Sequence, residues 1–308
     1  MFKQTCTNLT KLPKQRVRQW LSTFETIICD ADGVLWHFDK AIEGAPDTFN
    51  LLKSSGRRTF VVTNNSGVTS DVLVKKANDF GIELNDGFML TSSLSIAKYL
   101  AGKKFAKKAY VVGEAGIREE LAKLDICSFS VNYEKTDKSM LKYAKEMQLD
   151  PDVGAVIVGK DDTFTVQTIM RACGYLLNER VLFLGTCLDG AYPIGNNRVL
   201  VGAGAMIAAI KTISGRKPLI LGKPNPMMVK EECSCGLINP ETTLMIGDTL
   251  KTDILFAHNS GFQSMFVGTG VDKLEMVEKI RCSDNKNMLA MIPDTYLPSL
   301  AHLQEFIC

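Results

Sequence analysis

Asp30 and Asp32 stand one residue apart at the end of an apolar run, Thr26-Ile27-Ile28-Cys29, and Gly33-Val34-Leu35-Trp36 follows at once. An apolar run of that length closed by a turn signal predicts a buried strand. In open α/β sheets ligands sit beyond the carboxyl ends of strands, which is where the two carboxylates fall. Two anions that close would repel and raise one pKa unless a cation lay between them. A hard divalent ion with oxygen ligands, most simply Mg²⁺, supplies that charge. A plain turn, or the start of a calcium loop, has the same Asp-x-Asp-Gly wording.

Three later stretches have the same form of a strand followed by a polar tip. Arg58-Thr59-Phe60-Val61-Val62 ends in Thr63-Asn64-Asn65-Ser66-Gly67, where a hydroxyl and exposed N–H groups at a turn can bind phosphate oxygens without adding charge. Pro218-Leu219-Ile220-Leu221-Gly222 leads to Lys223, fixed before Pro224 as a cation that offsets phosphate charge and keeps a carboxylate ionised. Thr243-Leu244-Met245-Ile246-Gly247 delivers Asp248, and Asp253 follows five residues on. That spacing lets one carboxylate bind a metal while the other orients its waters or Lys223, or caps a helix.

The elements that must position these residues read as alternating strands and helices. Gly44-Ala45-Pro46-Asp47 opens a helix that stops at Gly56, with Phe49, Leu51 and Leu52 expected to face the core. Thr69 or Ser70 caps a helix through Phe80, and Ser92 or Ser93 another through Leu100. Ala101-Gly102-Lys103-Lys104 reads as a boundary. Beyond it the pattern restarts, with strands at Ala109–Val112, Ser128–Val131, Val153–Val158 and Val181–Leu184. Helices at Ile117–Leu124, Ser139–Met147, Thr163–Leu177 and Ala203–Ile213 separate them, so the stretch is a second α/β layer. The expected division is core 1–101, inserted domain 102–215 and core 216–308. Residues before Phe24 read as a leading helix, and Ser299–Phe306 as a final one.

Composition limits the function classes. The chain has 308 residues, 45 % hydrophobic and 23 % charged, with a net charge of +2, so no global field draws it to nucleic acid or membrane. Nine cysteines without regular spacing suggest reduced thiols and a cytoplasmic protein. Cys233-Ser-Cys235 is too tight for a usual zinc pair, and His258 and His302 fall in helical patterns. No secretory signal or membrane-length apolar run is expected. Glycosylation at the Asn64-Asn65-Ser66 sequon would block the candidate site.

Asp-Ala-Asp-Gly-Val-Leu, Thr-Asn-Asn-Ser, Gly-Lys-Pro and Gly-Asp-Thr-Leu-Lys-Thr-Asp, in that order, resemble the four motifs of the haloacid dehalogenase-like phosphatases. The wording is similar to the subgroup of eukaryotic phosphoglycolate phosphatase, pyridoxal phosphate phosphatase (chronophin) and 4-nitrophenylphosphatase-like enzymes. The tail Pro293-Asp-Thr-Tyr-Leu-Pro-Ser-Leu300 supports that placement. The resemblance implies a Rossmann-like parallel-sheet core with an inserted α/β cap of the C2 type, a cytosolic location, and homodimerisation through the cap. It implies that Asp30 is the nucleophile and Asp32 the proton shuttle. Mg²⁺ would be held by Asp30, the Asp32 carbonyl and Asp248, with Asp253 behind them. Thr63, Asn64, Asn65 and Lys223 would bind the transferred group.

The chain departs from its relatives at Thr186-Cys187-Leu188-Asp189, where Thr-Asn-x-Asp is common. It departs also at Val201-Gly202-Ala203-Gly204-Ala205, in place of Gly-Thr-Gly, and at Lys160, where an aromatic often stands. These positions leave the chemistry alone and bear on the substrate. A roofing cap favours small phosphorylated metabolites, with Lys160 to Phe164 and Cys187 to Tyr192 the candidate selectors. The same intermediate would serve a phosphotransferase or mutase, or a phosphoprotein phosphatase. A non-catalytic binding paralogue would be expected to have lost one of Asp30, Asp32, Lys223 or Asp248.

Overall fold

A computed structural model describes residues 2–131, 139–195, 197–283 and 285–307, without the side chains of 193–195, 286 and 287. Its chain forms two compact units, each with its own sheet. The first comprises Met1–Thr63, Asp71–Leu90 and Lys223–Cys308, and the second Asn64–Ser70 and Thr91–Gly222.

A seven-stranded sheet organises the first unit. Its strands run in the order Thr7–Asn8, Thr295–Leu297, Gln263–Val267, Thr243–Gly247, Thr26–Cys29, Arg58–Thr63, Met89–Thr91. Thr26–Cys29 pairs in parallel with a strand on each side, in a register that sets Cys29 beside both Ile246 and Val61. Asp30 therefore comes level with Gly247 and Val62, the residues next to Asp248 and Thr63. That register is set by burial. Ile27, Ile28, Cys29, Val61, Leu244 and Ile246 are all 0 % exposed. A slip of one residue would exchange such side chains between two buried faces, spoil their packing and carry Asp30 out of line with Asp248 and Thr63.

The Ala45–Ser54 helix buries Phe49 and Leu52, but Leu51 is 39 % exposed, against the expectation for it. Leu51 falls between two core positions on a 3.6-residue repeat, so its apolar character does not decide its face. The leading helix is Lys14–Leu21, burying Val17, Trp20 and Leu21. An edge strand at Thr7–Asn8 precedes it, paired in parallel with Thr295–Leu297. Ser299–Phe306 was expected to be a helix and is a 3₁₀ turn series, Leu300–Phe306.

The second unit holds a five-stranded sheet in the order Leu219–Ile220, Leu182–Gly185, Val153–Val158, Lys108–Val112, Ser128–Phe129. Leu219–Ile220 was expected to reopen the core; it pairs instead with Leu182–Gly185 in this sheet. Two residues of strand carry too little pattern to choose a sheet. The helix Ser92–Gly102 also groups here, capped by Thr91 rather than Ser92 or Ser93. A hairpin of Ala191–Gly195 with Arg198–Val201 is a further element that periodicity did not show. Among the described residues, no helix is long and apolar enough to cross a membrane.

Candidate active site

Asp30 begins where Thr26–Cys29 ends, and its N–H still donates to the Ile246 carbonyl at 2.9 Å. The side chain folds back, so that Oδ1 accepts from the Ala31 N–H at 2.7 Å and from Lys223 Nζ at 2.6 Å. Lys223 is 2 % exposed. Its ammonium also reaches Asp253 Oδ1 at 2.7 Å and donates to the Val62 carbonyl at 2.8 Å. A buried ammonium in that setting has an oxygen for each of its three protons. Burial alone would lower its pKa, but the Asp253 and Asp30 carboxylates outweigh it and hold the value above that of ordinary lysine. Lys223–Pro224 is a cis peptide bond.

Asp253 is wholly buried and its oxygens are engaged. Oδ2 accepts from the N–H groups of Asp248 at 3.1 Å and Thr249 at 3.0 Å, and Oδ1 faces Lys223. It therefore fixes both the strand tip that carries Asp248 and the cation beside Asp30. The helix-cap alternative is partly realised, because Asp253 closes a π-helical turn, Leu250–Ile254, onto its own start.

Asp248 is 1 % exposed, and only one of its oxygens is satisfied. Oδ2 accepts from the Val271 N–H at 2.6 Å, whereas Oδ1 is buried with no hydrogen-bond partner among the described residues. Burial, then the neighbouring Asp253 charge, push its pKa up to about 7. Burial and the same neighbour also raise Asp30 well above the usual carboxylate range, with Lys223 pulling the other way. Carboxylate oxygens of Asp30, Asp248 and Asp253 all lie within 4.8 Å of one another. An orphaned anionic oxygen at the meeting point of three acids fits a divalent cation with oxygen ligands.

Asp32 follows on the chain segment after the strand, bridged to Trp36, and its side chain is outside the acid cluster. The residue as a whole is exposed, but its carboxyl is partly desolvated by the protein around it, which raises its pKa, with Lys76 and Lys223 offsetting part of that. An accessible acid that keeps its proton longer than usual suits proton transfer. Thr63 is buried at the tip of Arg58–Thr63. Asn64 and Asn65 fall in the second unit. There Asn64 Nδ2 donates to Asp189 Oδ2 at 3.1 Å, and Asn65 Oδ1 accepts from the Gly67 N–H at 3.0 Å.

Sequence reasoning missed the loop after Gln263–Val267. Its Val271 N–H holds Asp248, Thr269 Oγ1 donates to the Gly33 carbonyl at 2.6 Å, and Asp272 Oδ2 accepts from the Leu250 N–H at 2.7 Å. A Cβ on Gly270 would lie 1.8 Å from Asp248 Oδ2, so only glycine lets the loop come that close. Gly268-Thr269-Gly270 after a strand was the available signal.

Family models described as haloacid dehalogenase-like hydrolase and HAD-hydrolase-like match residues 27–127 and 220–303. The chain is 33 % identical over 305 residues to the glycerol-3-phosphate phosphatase of Homo sapiens, covering 95 % of this chain and 94 % of that one. It is 35 % identical over 263 residues to phosphoglycolate phosphatase 1A, chloroplastic, of Arabidopsis thaliana, covering 84 % and 73 %. The crystal structure of a 4-nitrophenylphosphatase from Thermotoga maritima superposes with a TM-score of 0.75 at 25 % identity, over 94 % of this chain and 99 % of that one. With those matches spanning both halves of the acid cluster, the chain belongs to the haloacid dehalogenase-like hydrolases, in their phosphatase subgroup.

Proposed function

We propose that the protein hydrolyses small-molecule phosphomonoesters through a phosphoryl-Asp30 intermediate. The observation that carries this reading is the buried Asp30–Lys223–Asp253 chain beside the orphaned Asp248 Oδ1. Asp30 Oδ1 is held by two donors, which leaves Oδ2 to attack phosphorus. The phosphorus–oxygen ester bond breaks as the Asp30–phosphorus bond forms, and Asp32 gives its proton to the departing alkoxide. Asp32 then takes a proton from the water that attacks the phosphoryl group, releasing phosphate and restoring both carboxyl groups. Thr63 holds the transferred oxygens, with the Asn64–Asn65 turn that continues the chain from Thr63, while Lys223, its three protons engaged by Asp30, Asp253 and the Val62 carbonyl, offsets their charge. Asp30, Asp248 and the Asp32 carbonyl would hold Mg²⁺, and Asp253 would position them. When bound, the ion supplies positive charge against the phosphoryl dianion.

The relatives named above and the 4-nitrophenylphosphatase of Schizosaccharomyces pombe act on small esters, as their names say, which supports small substrates here: glycerol 3-phosphate, phosphoglycolate or an aryl phosphate. Eight cysteines among the described residues are all free thiols, which suits a reducing compartment such as the cytoplasm. The hairpin of the second unit exposes Val199 (62 %) and Val201 (49 %), which supports docking of a second copy there. Light scattering of wild type and Val199→Asp tests that dimer, which a monomeric wild type would refute. The function is tested by a panel of small phosphoesters with Mg²⁺, reading released phosphate, with phosphoproteins and acceptor alcohols as comparison arms. Hydrolysis of the small esters supports the reading. Preference for phosphoproteins, or transfer to the alcohol instead of water, would replace it.

A further inference from the structure

Two stretches in the second unit have no part in the reaction as described, Thr186-Cys187-Leu188-Asp189 and Val201-Gly202-Ala203-Gly204. They meet. The Gly204 N–H donates to the Asp189 carbonyl and the Gly202 N–H to the Gly190 carbonyl, each at 2.9 Å. A Cβ at Gly202 would lie 2.2 Å from the Asp189 carbonyl oxygen, and one at Gly204 2.3 Å from that of Leu188. The start of the helix Ala203–Ser214 thus grips the Asp189 backbone through two bare positions.

A residue held so firmly aims its side chain. Asp189 Oδ2 accepts from Asn64 Nδ2 at 3.1 Å, with the Tyr192 hydroxyl 3.5 Å away. A carboxylate only accepts, so it fixes which end of the Asn64 amide faces it. Asn64 is fixed on two further sides. Its carbonyl accepts from Ser92 Oγ at 2.8 Å, and its Oδ1 lies 2.6 Å from where a Cβ on Gly222 would be. Asn64 directly follows Thr63, and Gly222 directly precedes Lys223.

We propose that Asp189 is a positioning residue for phosphate binding, acting through Asn64 on the turn that continues from Thr63. The assignment rests on the phosphatase reading of the site. Turn N–H groups bind an anion well only when their directions are fixed beforehand, because misplacement by a fraction of an ångström loses binding. The Asp189 clamp supplies that fixation without touching the substrate. It also accounts for glycine at both 202 and 204, which the chemistry alone does not require.

The test compares the full chain with Asp189→Ala, Asp189→Asn, Asn64→Ala and the double alanine variant. Readouts are KM, kcat, competitive inhibition by inorganic phosphate, and the unfolding midpoint. Asp189→Ala should raise KM and the phosphate inhibition constant about tenfold, as loss of a charged hydrogen bond does, with kcat within about threefold. Asp189→Asn keeps an acceptor for Asn64 and should return both constants to within about threefold of wild type. The double variant should be no worse than either single one. If Asp189→Ala fails to fold, Asn64→Ala carries the test: Asp189→Asn in that background should change neither constant. A lowered unfolding midpoint with unchanged KM and phosphate inhibition would overturn the proposal, as would losses that multiply in the double variant. A wild type that neither cleaves the esters nor binds phosphate would overturn the phosphatase reading and this assignment together. An active wild type with indistinguishable variants would overturn the assignment alone.

Discussion

The two sheets are alike in construction and unlike at their tips. Both are parallel and fed by helices, and both end their strands in polar residues. In the seven-stranded sheet those residues are buried acids that converge on one lysine, within 4.8 Å of one another. In the five-stranded sheet, Asp189 apart, the acids at the tips bond within their own turn or to the turn beside it. Asp161 Oδ1 accepts from Thr163 N at 2.8 Å and Oγ1 at 2.7 Å, Glu114 Oε1 accepts from the Asp162 N–H at 2.9 Å, and Lys160 pairs with Asp162 at 2.5 Å. Those pairs are solvated and worth little. The topology offers a place for a site, and buried charge that the protein leaves partly uncompensated makes it one.

Breaking each side of this comparison should give effects of very different size. The largest is Asp30→Asn, which removes the proposed nucleophile while keeping the shape; phosphate release should fall on the order of 10⁴-fold or more. Retained turnover would place the nucleophile elsewhere. Next is Lys223→Met, which leaves Asp30 and Asp253 buried against each other without their cation. Urea unfolding should show a loss of about 3–5 kcal/mol, because removing one partner strands the others. A loss under about 1 kcal/mol would show that the cation does not hold the cluster together.

A third experiment sharpens the comparison through pH. The folded-state pKa of Asp248 is raised to about 7 from the ordinary 3.8. For an acid raised on folding, the native state binds the extra proton. Its contribution to stability of the metal-free protein therefore falls as pH rises from about 4 to about 7, and levels off above. Mg²⁺ binds the deprotonated form, so the Mg²⁺-induced stabilisation, read as a rise in Tm, should grow over that window, to about 2.7 kcal/mol of unfolding free energy at a hundredfold excess over Kd. Chelator should abolish turnover, and excess Ca²⁺ should inhibit. A shift that is independent of pH, or that survives Asp248→Asn, would remove Asp248 from the metal site. The smallest effect is expected from the other sheet. Asp161→Asn keeps the acceptor for Thr163 and should change stability by no more than about 0.5 kcal/mol in the same unfolding assay.

Much of the site was legible because its signals are short and local. Asp30, Thr63 and Asp248 each end an apolar, β-branched run, and burial on both faces of a central strand makes such runs easy to read. What was not legible depends on contacts between distant segments. The orphaned Oδ1 of Asp248 and the double duty of Asp253 appear only once Val271 and Lys223 are in place. Leu219–Ile220 chose its sheet by its neighbour Leu184–Gly185, which no pattern within two residues could specify. The exposed hairpin 191–201 was invisible for the opposite reason. Its outward Val199 and Val201 break the alternation by which strands are recognised.

The pairing of Thr26–Cys29 with Thr243–Gly247 has a consequence for synthesis on the ribosome. The strand that leads to Asp30 sits between two neighbours, and one of them is made 217 residues later. At about 5–20 residues per second, that delay is roughly 10–45 seconds. Through that interval Ile27 and Ile28 lie on an open strand edge, apolar and ready to pair with the wrong chain. The second unit, complete by Gly222, can close its sheet first. A nascent chain stalled before position 243 should thus hold one folded unit and one unfinished sheet, and demand chaperone protection for the part that carries Asp30.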